Sequence, residues 1–243
     1  MSGPRIDIVT IFPDLVEHFL EGSLIGAARR EGRLDVRVTD LREFAQDRHR
    51  TVDDAPYGGG DGMVFRCEPV VAAIEAVRGP DACVYLTSPR GRLLDQPLAE
   101  KLASAPQIVL VCGRYAGFDE RIAEVTGAVE LSIGDYVLSG GEIAALVATE
   151  VVGRLVPGVL GNPTSSERDS FADGLLEHPL YTRPAEFRGR AVPEVLRSGD
   201  HAAVERWRRA QALRRTRDSR PDLLDRAGLS SEDRKLLLEM GHE

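Results

Sequence analysis

Short apolar runs alternate with helix-like segments through the first two thirds of the chain. The runs at 6-12, 34-39, 83-87, 108-112 and 128-133 have the length and the β-branched residues typical of strands. Most of the segments between them place apolar residues at helical spacing. This alternation predicts an α/β fold in which a mainly parallel sheet carries helices on its faces. Because such sheets bind ligands at the carboxyl ends of their strands, we expect a site in the segments that follow strands.

Single residues mark where several helices begin. Pro13 lies in the first turn of a predicted helix in which Leu15, Val16 and Phe19 share one face. Asp95 is the predicted N-cap of a later helix. The helix content therefore follows from local signals as well as from periodicity.

One predicted helix, residues 142-156, has hardly any polar face. Its apolar residues surround the helix axis on nearly all sides: Ile143, Ala144, Ala145, Leu146, Val147, Val151, Val152 and Leu155. Such a helix has to be covered on every side, and one sheet covers only one of them. We therefore expect a second copy of the chain to cover the other side, which predicts a homodimer.

The last third of the chain has a different pattern. Residues 158-172 carry turn residues without periodicity and predict a mobile linker. Apolar residues then recur at helical spacing around Trp207, and the residues from Ser230 to Asp233 predict a capping box that starts a last helix. The predicted organisation is a sheet-containing domain at 1-160, a flexible linker at 161-172 and a small all-helical domain at 173-243.

The net charge of -8 argues against nucleic acid, but the charge is unevenly distributed. From Arg183 to the end there are 14 basic and 11 acidic residues, whereas the rest of the chain has 17 basic and 28 acidic residues. Residues 206-220 alone hold seven arginines and one acid, Asp218. Local potential governs contact with phosphate, so this segment can bind RNA. From charge alone, a solvated helix face explains it better.

Other protein classes have little support in the sequence. No run of about eighteen apolar residues occurs, which excludes a membrane-spanning helix. The apolar start at 6-12 is too short for a signal peptide, so a cytoplasmic protein is expected. Cys67, Cys83 and Cys112 form no CxxC pair and the five histidines have no ligand spacing, so neither a zinc site nor a disulfide is indicated.

Four glycine-rich or polar segments follow predicted strands, at 57-63, 87-91, 112-120 and 132-142. Taken singly, the first segment is equally consistent with a ligand-binding loop and with a flexible surface loop. The second is better explained as a turn, and the acids of the third are explained by a helix N-terminus. The fourth is too long for an ordinary connection and exposes backbone groups that can bind the edge of an adenine. None matches the glycine motifs of dinucleotide-binding or P-loop proteins.

Several long motifs follow one another in a fixed order. They are Ile8 to Pro13, Pro56 to Gly60, Cys112 to Tyr115, Ser132 to Glu142, Leu155 to Asn162, Asp169 to Phe171, and Tyr181 to Pro184. In this order they resemble the bacterial tRNA (guanine-N1)-methyltransferases, which modify the guanine at position 37, just 3′ of the anticodon. The resemblance covers essentially the whole chain, and motifs in register are far more specific than one glycine loop.

The resemblance implies a trefoil-knotted sheet of the SPOUT methyltransferase superfamily and an obligate homodimer with active sites at the subunit interface. It implies that S-adenosylmethionine binds in the knot of the domain at 1-160 and that the helical domain at 173-243 binds tRNA. The cofactor-binding positions it implies are Thr87, Ser88, Pro89, Gly113, Tyr115, Ile133, Gly134, Asp135, Tyr136, Val137, Leu138, Gly140 and Gly141.

Two positions depart from the family pattern. The family usually has Glu where this chain has Ala116, and Pro where it has Asp61. The first departure leaves open whether Mg2+ is a second cofactor, since the carboxylate is absent at that position. The second bears on the rigidity of the glycine loop more than on the reaction.

The resemblance also assigns two catalytic residues. Guanine N1 carries a proton at neutral pH, so methylation needs a base that removes it and a donor that stabilises the negative charge gathering at O6. The resemblance implies that Asp169 is the base and Arg154 the donor. From the sequence alone, Asp169 is better explained as a turn residue and Arg154 as a cation at a helix end.

Two other functions agree with part of the pattern. A knotted methyltransferase acting on another RNA site would share the fold, but the linker around Asp169 and the arginine-rich tail argue against it. A non-catalytic RNA-binding protein would keep the basic tail without needing Gly113, the segment 132-142, or both Arg154 and Asp169.

Overall fold

The computed structural model describes residues 3–161 and 169–240 of the chain. The chain divides into two compact units, Met1–Pro163 and Thr164–Glu243. Most of the linker predicted at 161-172 therefore lies outside the described residues.

The first unit alternates strands and helices. Its elements are β1 (Arg5–Thr10), α1 (Pro13–Glu21), α2 (Ser23–Arg30), β2 (Asp35–Asp40), a 3-10 turn (Leu41–Phe44), β3 (Asp53–Asp54), β4 (Val64–Phe65), α3 (Cys67–Val77), β5 (Ala82–Leu93), α4 (Gln96–Ala103), β6 (Gln107–Val111), α5 (Arg121–Thr126), β7 (Val129–Ser132) and α6 (Glu142–Leu155). Five strands form one sheet in the order β2-β1-β6-β5-β7, and every pairing in it is parallel. The predicted α/β fold with a mainly parallel sheet is confirmed.

Two apolar clusters cover the two faces of this sheet. Side chains alternate along β6, so Ile108 and Leu110 belong to one cluster while Val109 and Val111 belong to the other. The first cluster includes residues of α1, α2, α4 and α6, and the second includes residues of α3 and α5. Because β6 is central and covered on both faces, all five of its residues are buried.

The face predicted for the first helix from Leu15, Val16 and Phe19 is only partly buried. Val16 and Leu20 are its buried residues, whereas Leu15 and Phe19 are 50% and 46% exposed. Each pair is four residues apart, so the two pairs form neighbouring stripes on the helix surface, and only one stripe contacts the core. Apolar spacing marked both stripes without showing which of them faces inward.

The segment 87-91 is not an isolated turn, because it lies within β5, which continues to Leu93. The pairing of β5 with β7 shifts register between Thr87 and Arg92, so the residues between them leave the ladder. Gly91 makes this possible: a Cβ there would lie within 2.6 Å of the Glu130 backbone.

The second unit contains three helices within its described residues, together with a small hairpin. Its elements are β8 (Glu186–Phe187), β9 (Arg190–Ala191), a 3-10 helix (Glu194–Arg197), α7 (His201–Ser219), α8 (Pro221–Leu224) and α9 (Ser231–Met240). The hairpin differs from the all-helical expectation. Its turn residues Arg188 and Gly189 both have positive φ, at 52° and 73°, and an arginine in that conformation gives no sequence signal.

Both predicted helix caps are confirmed. Asp95 Oδ1 accepts the Leu98 N–H at 3.0 Å. Ser230 and Asp233 form a reciprocal capping box, in which each side chain accepts the backbone N–H of the other, at 3.1 and 3.0 Å. In the part of the chain that the structure describes, no helix has both the length and the apolar character needed to cross a bilayer.

The capping carboxylate of Asp233 also joins two helices. It is only 5% exposed and accepts hydrogen bonds from Arg209 Nε and Nη2, at 2.7 and 2.9 Å. Hydrogen bonds from Arg209 and then from Ser230 lower the pKa of Asp233 to about 2. The ion pair therefore links α7 to the start of α9.

We expect Asp233→Asn to lower the unfolding free energy of the helical unit by about 2 kcal/mol at pH 7. The folded pKa lies below the unfolded value of roughly 3.9, so the stabilisation is complete above pH 4 and is lost as the pH falls towards 2. Urea unfolding between pH 7 and pH 3, followed by the fluorescence of Trp207, the single tryptophan, measures this. A difference between variant and wild type that is as large at pH 3 as at pH 7 would contradict it.

Candidate functional site

A cleft of about 250 Å³ lies where three strands of the sheet end. Its walls come from residues 87–90 of β5, residues 113–118 after β6, and residues 130–141 at the end of β7 and beyond it. Three of the four segments singled out in the sequence therefore meet in one place. The glycine-rich segment 57-63 lies beside the second of them, since a Cβ on Gly62 would approach Ala116 to 3.6 Å.

The three walls are joined by hydrogen bonds around Thr87. The Thr87 hydroxyl accepts the Gly113 N–H at 2.8 Å and donates to the Val111 carbonyl at 3.2 Å. The Gly141 N–H donates to the Gly113 carbonyl at 2.7 Å. A Cβ on Gly141 would overlap the Thr87 hydroxyl and one on Gly113 would lie 2.5 Å from the Thr87 carbonyl. Only glycine permits backbones to approach so closely at both positions.

A buried carboxylate at the start of α6 supports the same walls. Glu142 is 3% exposed; it accepts the Thr10 hydroxyl at 2.9 Å and Arg114 Nη1 at 3.3 Å. The Arg114 guanidinium lies 4.4 Å from the centre of the Phe12 ring, and the Arg114 backbone forms an antiparallel bridge with Gly140. A buried carboxylate is tolerated only with such partners, and a helix N-terminus favours it further. Glu142 thus ties the ends of β1 and β6 to α6.

Tyr115 occupies an uncommon backbone conformation on the second wall. Its φ is 57°, its ring is 54% exposed, and it contacts Phe65 edge-on with 5.9 Å between ring centres. The Ala116 N–H donates to the Met63 carbonyl at 2.9 Å and so holds the turn in place. Non-glycine residues with positive φ cluster at binding loops, which agrees with a ligand site here.

A charged group and a thiol near the cleft, Arg90 and Cys112, are respectively ion-paired and buried. Arg90, on the rim, pairs with Glu120 at 2.7 Å and Glu130 at 2.6 Å, and these two carboxylates raise its pKa. Burial raises the pKa of the Cys112 thiol well above its usual value, so that thiol stays neutral and is part of the apolar core. Within residues 3–161 and 169–240, no three His, Cys, Asp or Glu side chains are grouped closely enough to hold a metal ion.

Comparison with known proteins places this arrangement in a family. The tRNA (guanine-1)-methyltransferase family model matches residues 4–226. The chain belongs to that family. It is 56% identical over 238 residues to the tRNA (guanine-N(1)-)-methyltransferase of Geobacter metallireducens, with 97% of each chain covered. It is 56% identical to the Frankia alni protein of that name, covering 96% of this chain and 89% of the relative, and 51% identical to that of Moorella thermoacetica, covering 97% and 96%.

The cofactor-binding positions that the resemblance implies converge on the cleft. All of them line it except Asp135. The cleft also includes residues that the sequence did not single out as binding residues: Arg90, Arg114, Ala116, Gly117, Phe118, Glu130, Leu131, Ser132, Ser139 and Ala144. Most of these lie inside or beside the motifs, so their signal was proximity in sequence to positions already chosen.

The two predicted catalytic residues belong to different units of the chain. Arg154 is an exposed residue in the last turn of α6. Asp169 begins a hydrogen-bonded turn in the helical unit, where its carbonyl accepts the Ala172 N–H at 3.2 Å. The catalytic roles of both residues remain predictions.

We expect Gly141→Ala to lower the unfolding free energy of the sheet unit by about 2 kcal/mol, because the added methyl overlaps Thr87 and has no space to move into. Gly161→Ala is the matched control, since a Cβ there meets nothing within 4 Å. Urea unfolding followed by circular dichroism measures both variants. Equal stability of the two would show that the contact between Gly141 and Thr87 does not require glycine.

Proposed function

We propose that this chain transfers a methyl group from S-adenosylmethionine to N1 of the guanine at position 37 of tRNA. The observation that carries the proposal is the convergence of the family's cofactor positions on one cleft at the strand ends. Relatives that share 51% to 56% of their residues with this chain over nearly their whole length bear the name tRNA (guanine-N(1)-)-methyltransferase. The proposed fold includes the trefoil knot expected of this family.

The residues of the cleft suit S-adenosylmethionine. Close backbone contacts at Gly113 and Gly141, where a Cβ would meet Thr87, hold the three walls of the cleft together. The loop from Ile133 to Gly141 presents backbone N–H and C=O groups that can bind an adenine edge, and Leu138 adds an apolar surface. When bound, the cofactor supplies a methyl group activated by its sulfonium charge.

The protein's own contribution to the reaction is a base and a hydrogen-bond donor. In the proposed mechanism, the Asp169 carboxylate would accept the N1 proton of guanine and so free the N1 electron pair to bond to the methyl group, whose bond to the cofactor sulfur would break and leave a neutral thioether. Arg154 donates to O6, where negative charge gathers as the proton leaves.

The proposed enzyme is a homodimer with active sites at the interface. Two neighbouring helices of the sheet unit, α1 and α6, expose large apolar side chains. Leu15 and Phe19 on α1 are 50% and 46% exposed, and Ile143 and Val147 on α6 are 51% and 38% exposed. Exposed apolar side chains on two helices in contact are typical of a protein interface. A partner subunit on this surface would also cover the second apolar side of α6.

The helical unit is the proposed tRNA-binding part. Arg206 and Arg214 on α7 have side chains that are 62% and 55% exposed, and their ion pairs with Glu239 and Asp218 are long, at 3.9 Å each. Exposed pairs of this kind contribute little to stability, so these two arginines can exchange a carboxylate for a phosphate.

The proposed activity is tested with two tRNA transcripts that differ only in G or A at position 37. Incubated with the protein and S-adenosylmethionine labelled in the methyl group, the G transcript should become labelled and the A transcript should not. Digestion to nucleosides should then yield N1-methylguanosine. Equal labelling of both transcripts, or labelling of neither, would contradict the proposal.

Asp169→Asn should abolish turnover and leave cofactor binding nearly unchanged, because the amide keeps the shape of the carboxylate but cannot accept the proton. Single-turnover assays measure the first effect and calorimetric titration with S-adenosylmethionine the second. Asp225→Asn, at an exposed acid in the same unit, is the control and should methylate at the wild-type rate. A wild-type rate in Asp169→Asn would remove Asp169 from the base role.

A further inference from the structure

The residues around Asp169 are a folded part of the helical unit. The Phe171 N–H donates to the Leu175 carbonyl at 2.7 Å and the Gly174 N–H donates to the Phe171 carbonyl at 3.2 Å. Leu175 is 2% exposed and lies in the apolar core that contains Leu213 of α7. Residues 169–175, here called the Asp169 turn, are therefore held by backbone hydrogen bonds and by one buried anchor.

Asp173 connects the Asp169 turn to the ion-pair network between α7 and α9. Its Oδ1 accepts the Leu175 N–H at 3.2 Å, and its Oδ2 is paired with Arg209 Nη1. Arg209 uses its other nitrogens, Nε and Nη2, for Asp233. The guanidinium thus binds two carboxylates at once, and both raise its pKa. Arg209 fastens the turn, α7 and the start of α9 to one another.

The chain that leaves the turn is fastened to α7 at further points. The Leu176 N–H donates to the hydroxyl of Thr216, which is fully buried, at 2.9 Å. Arg215 Nη1 donates to the Glu177 carbonyl at 3.1 Å. Asp169, Asp173 and Arg209 also line one cavity of about 170 Å³, so the carboxylate lies beside the network that holds its turn.

We propose that Asp173 and Arg209 are positioning residues for the Asp169 carboxylate. The helical unit holds the base through this ion-pair network, and the base is not carried by an independent linker. Asp173 and Arg209 need not touch the guanine, because they act by keeping the Asp169 turn in one conformation. This inference rests on the proposed function, in which Asp169 removes the N1 proton. Misplacement of a reacting group by about 1 Å can cost about a hundredfold in rate, so loss of the network should appear in the chemical step.

Asp173→Asn is the informative variant, because it removes the charge on the turn and leaves the pairing of Arg209 with Asp233 intact. With saturating tRNA and S-adenosylmethionine, the single-turnover rate should fall at least about tenfold. Dissociation constants for tRNA and cofactor should stay within about twofold of wild type, which separates positioning from binding. Asp173→Glu, which restores the charge, should recover part of the rate.

Hydrogen exchange provides the structural test. In Asp173→Asn, the amides of Phe171 and Gly174 should exchange faster, while the amides of α7 keep their protection. Asp222→Asn is the matched control, since it breaks another exposed pair of an aspartate with an arginine, Arg220 at 2.7 Å, away from the turn. The control should change neither the rate nor the exchange of Phe171 and Gly174.

Two results would overturn the inference: a wild-type rate in Asp173→Asn, or a loss of rate matched by an equal loss of tRNA affinity and of protection in α7. The second result would show a general loss of structure instead of a misplaced base. A wild-type protein that methylates neither transcript would overturn the proposed function instead. The exchange measurement would then still decide whether Asp173 holds the turn.

Discussion

The close approach of three backbones at Thr87, Gly113 and Gly141 is the contact on which the cleft depends. Parallel strands end at the same edge of a sheet, so the segments that follow them compete for the same space. The Thr87 hydroxyl accepts the Gly113 N–H from one of these segments. Gly141, the residue before α6, packs directly against the same hydroxyl. A backbone group buried without a partner would cost about 1–3 kcal/mol. The same hydrogen bonds therefore stabilise the fold and shape the surface on which a cofactor can lie.

Each unit uses one buried carboxylate near a helix N-terminus in the same way. Glu142 lies at the start of α6 and binds Arg114, which lines the cleft. Asp233 lies in the first turn of α9 and binds Arg209, which also holds the Asp169 turn. In both units an arginine joins a buried acid to a segment that belongs to a proposed functional site. Substitution of either carboxylate should therefore affect both the stability of its unit and the proposed site that the unit carries, because the arginine loses its partner in a buried ion pair.

Local patterns of residues predicted most of the secondary structure, and they failed where distant residues decide the outcome. The five strands of the main sheet and the caps at Asp95 and Ser230 depend on neighbours in the chain, and these were predicted, whereas the short strands β3 and β4 were not. The buried side of α1 and the hairpin at Arg188 depend on packing and on an unusual φ, which spacing does not show. Arg209 pairs with Asp233 and Asp173, which lie 24 and 36 positions away in the chain, so no local pattern predicts this network. The cleft residues came mainly from a resemblance that covers the whole chain, since among the four segments only 132-142 indicated a ligand site by itself.

The arginine-rich helix shows how a count of charges in the sequence overstates the charge available to RNA. Arg209 is committed to Asp173 and Asp233, and Arg208 pairs with Glu205 at 2.7 Å on its own helix. Phosphate has to compete with these internal acids, and the competition is hardest where the acid is buried, as Asp233 is. Under the proposed function, the positive charge for RNA would therefore come from the exposed arginines with long ion pairs, Arg206 and Arg214. The same helix can thus bind a polyanion on its exposed side and hold the Asp169 turn through Arg209.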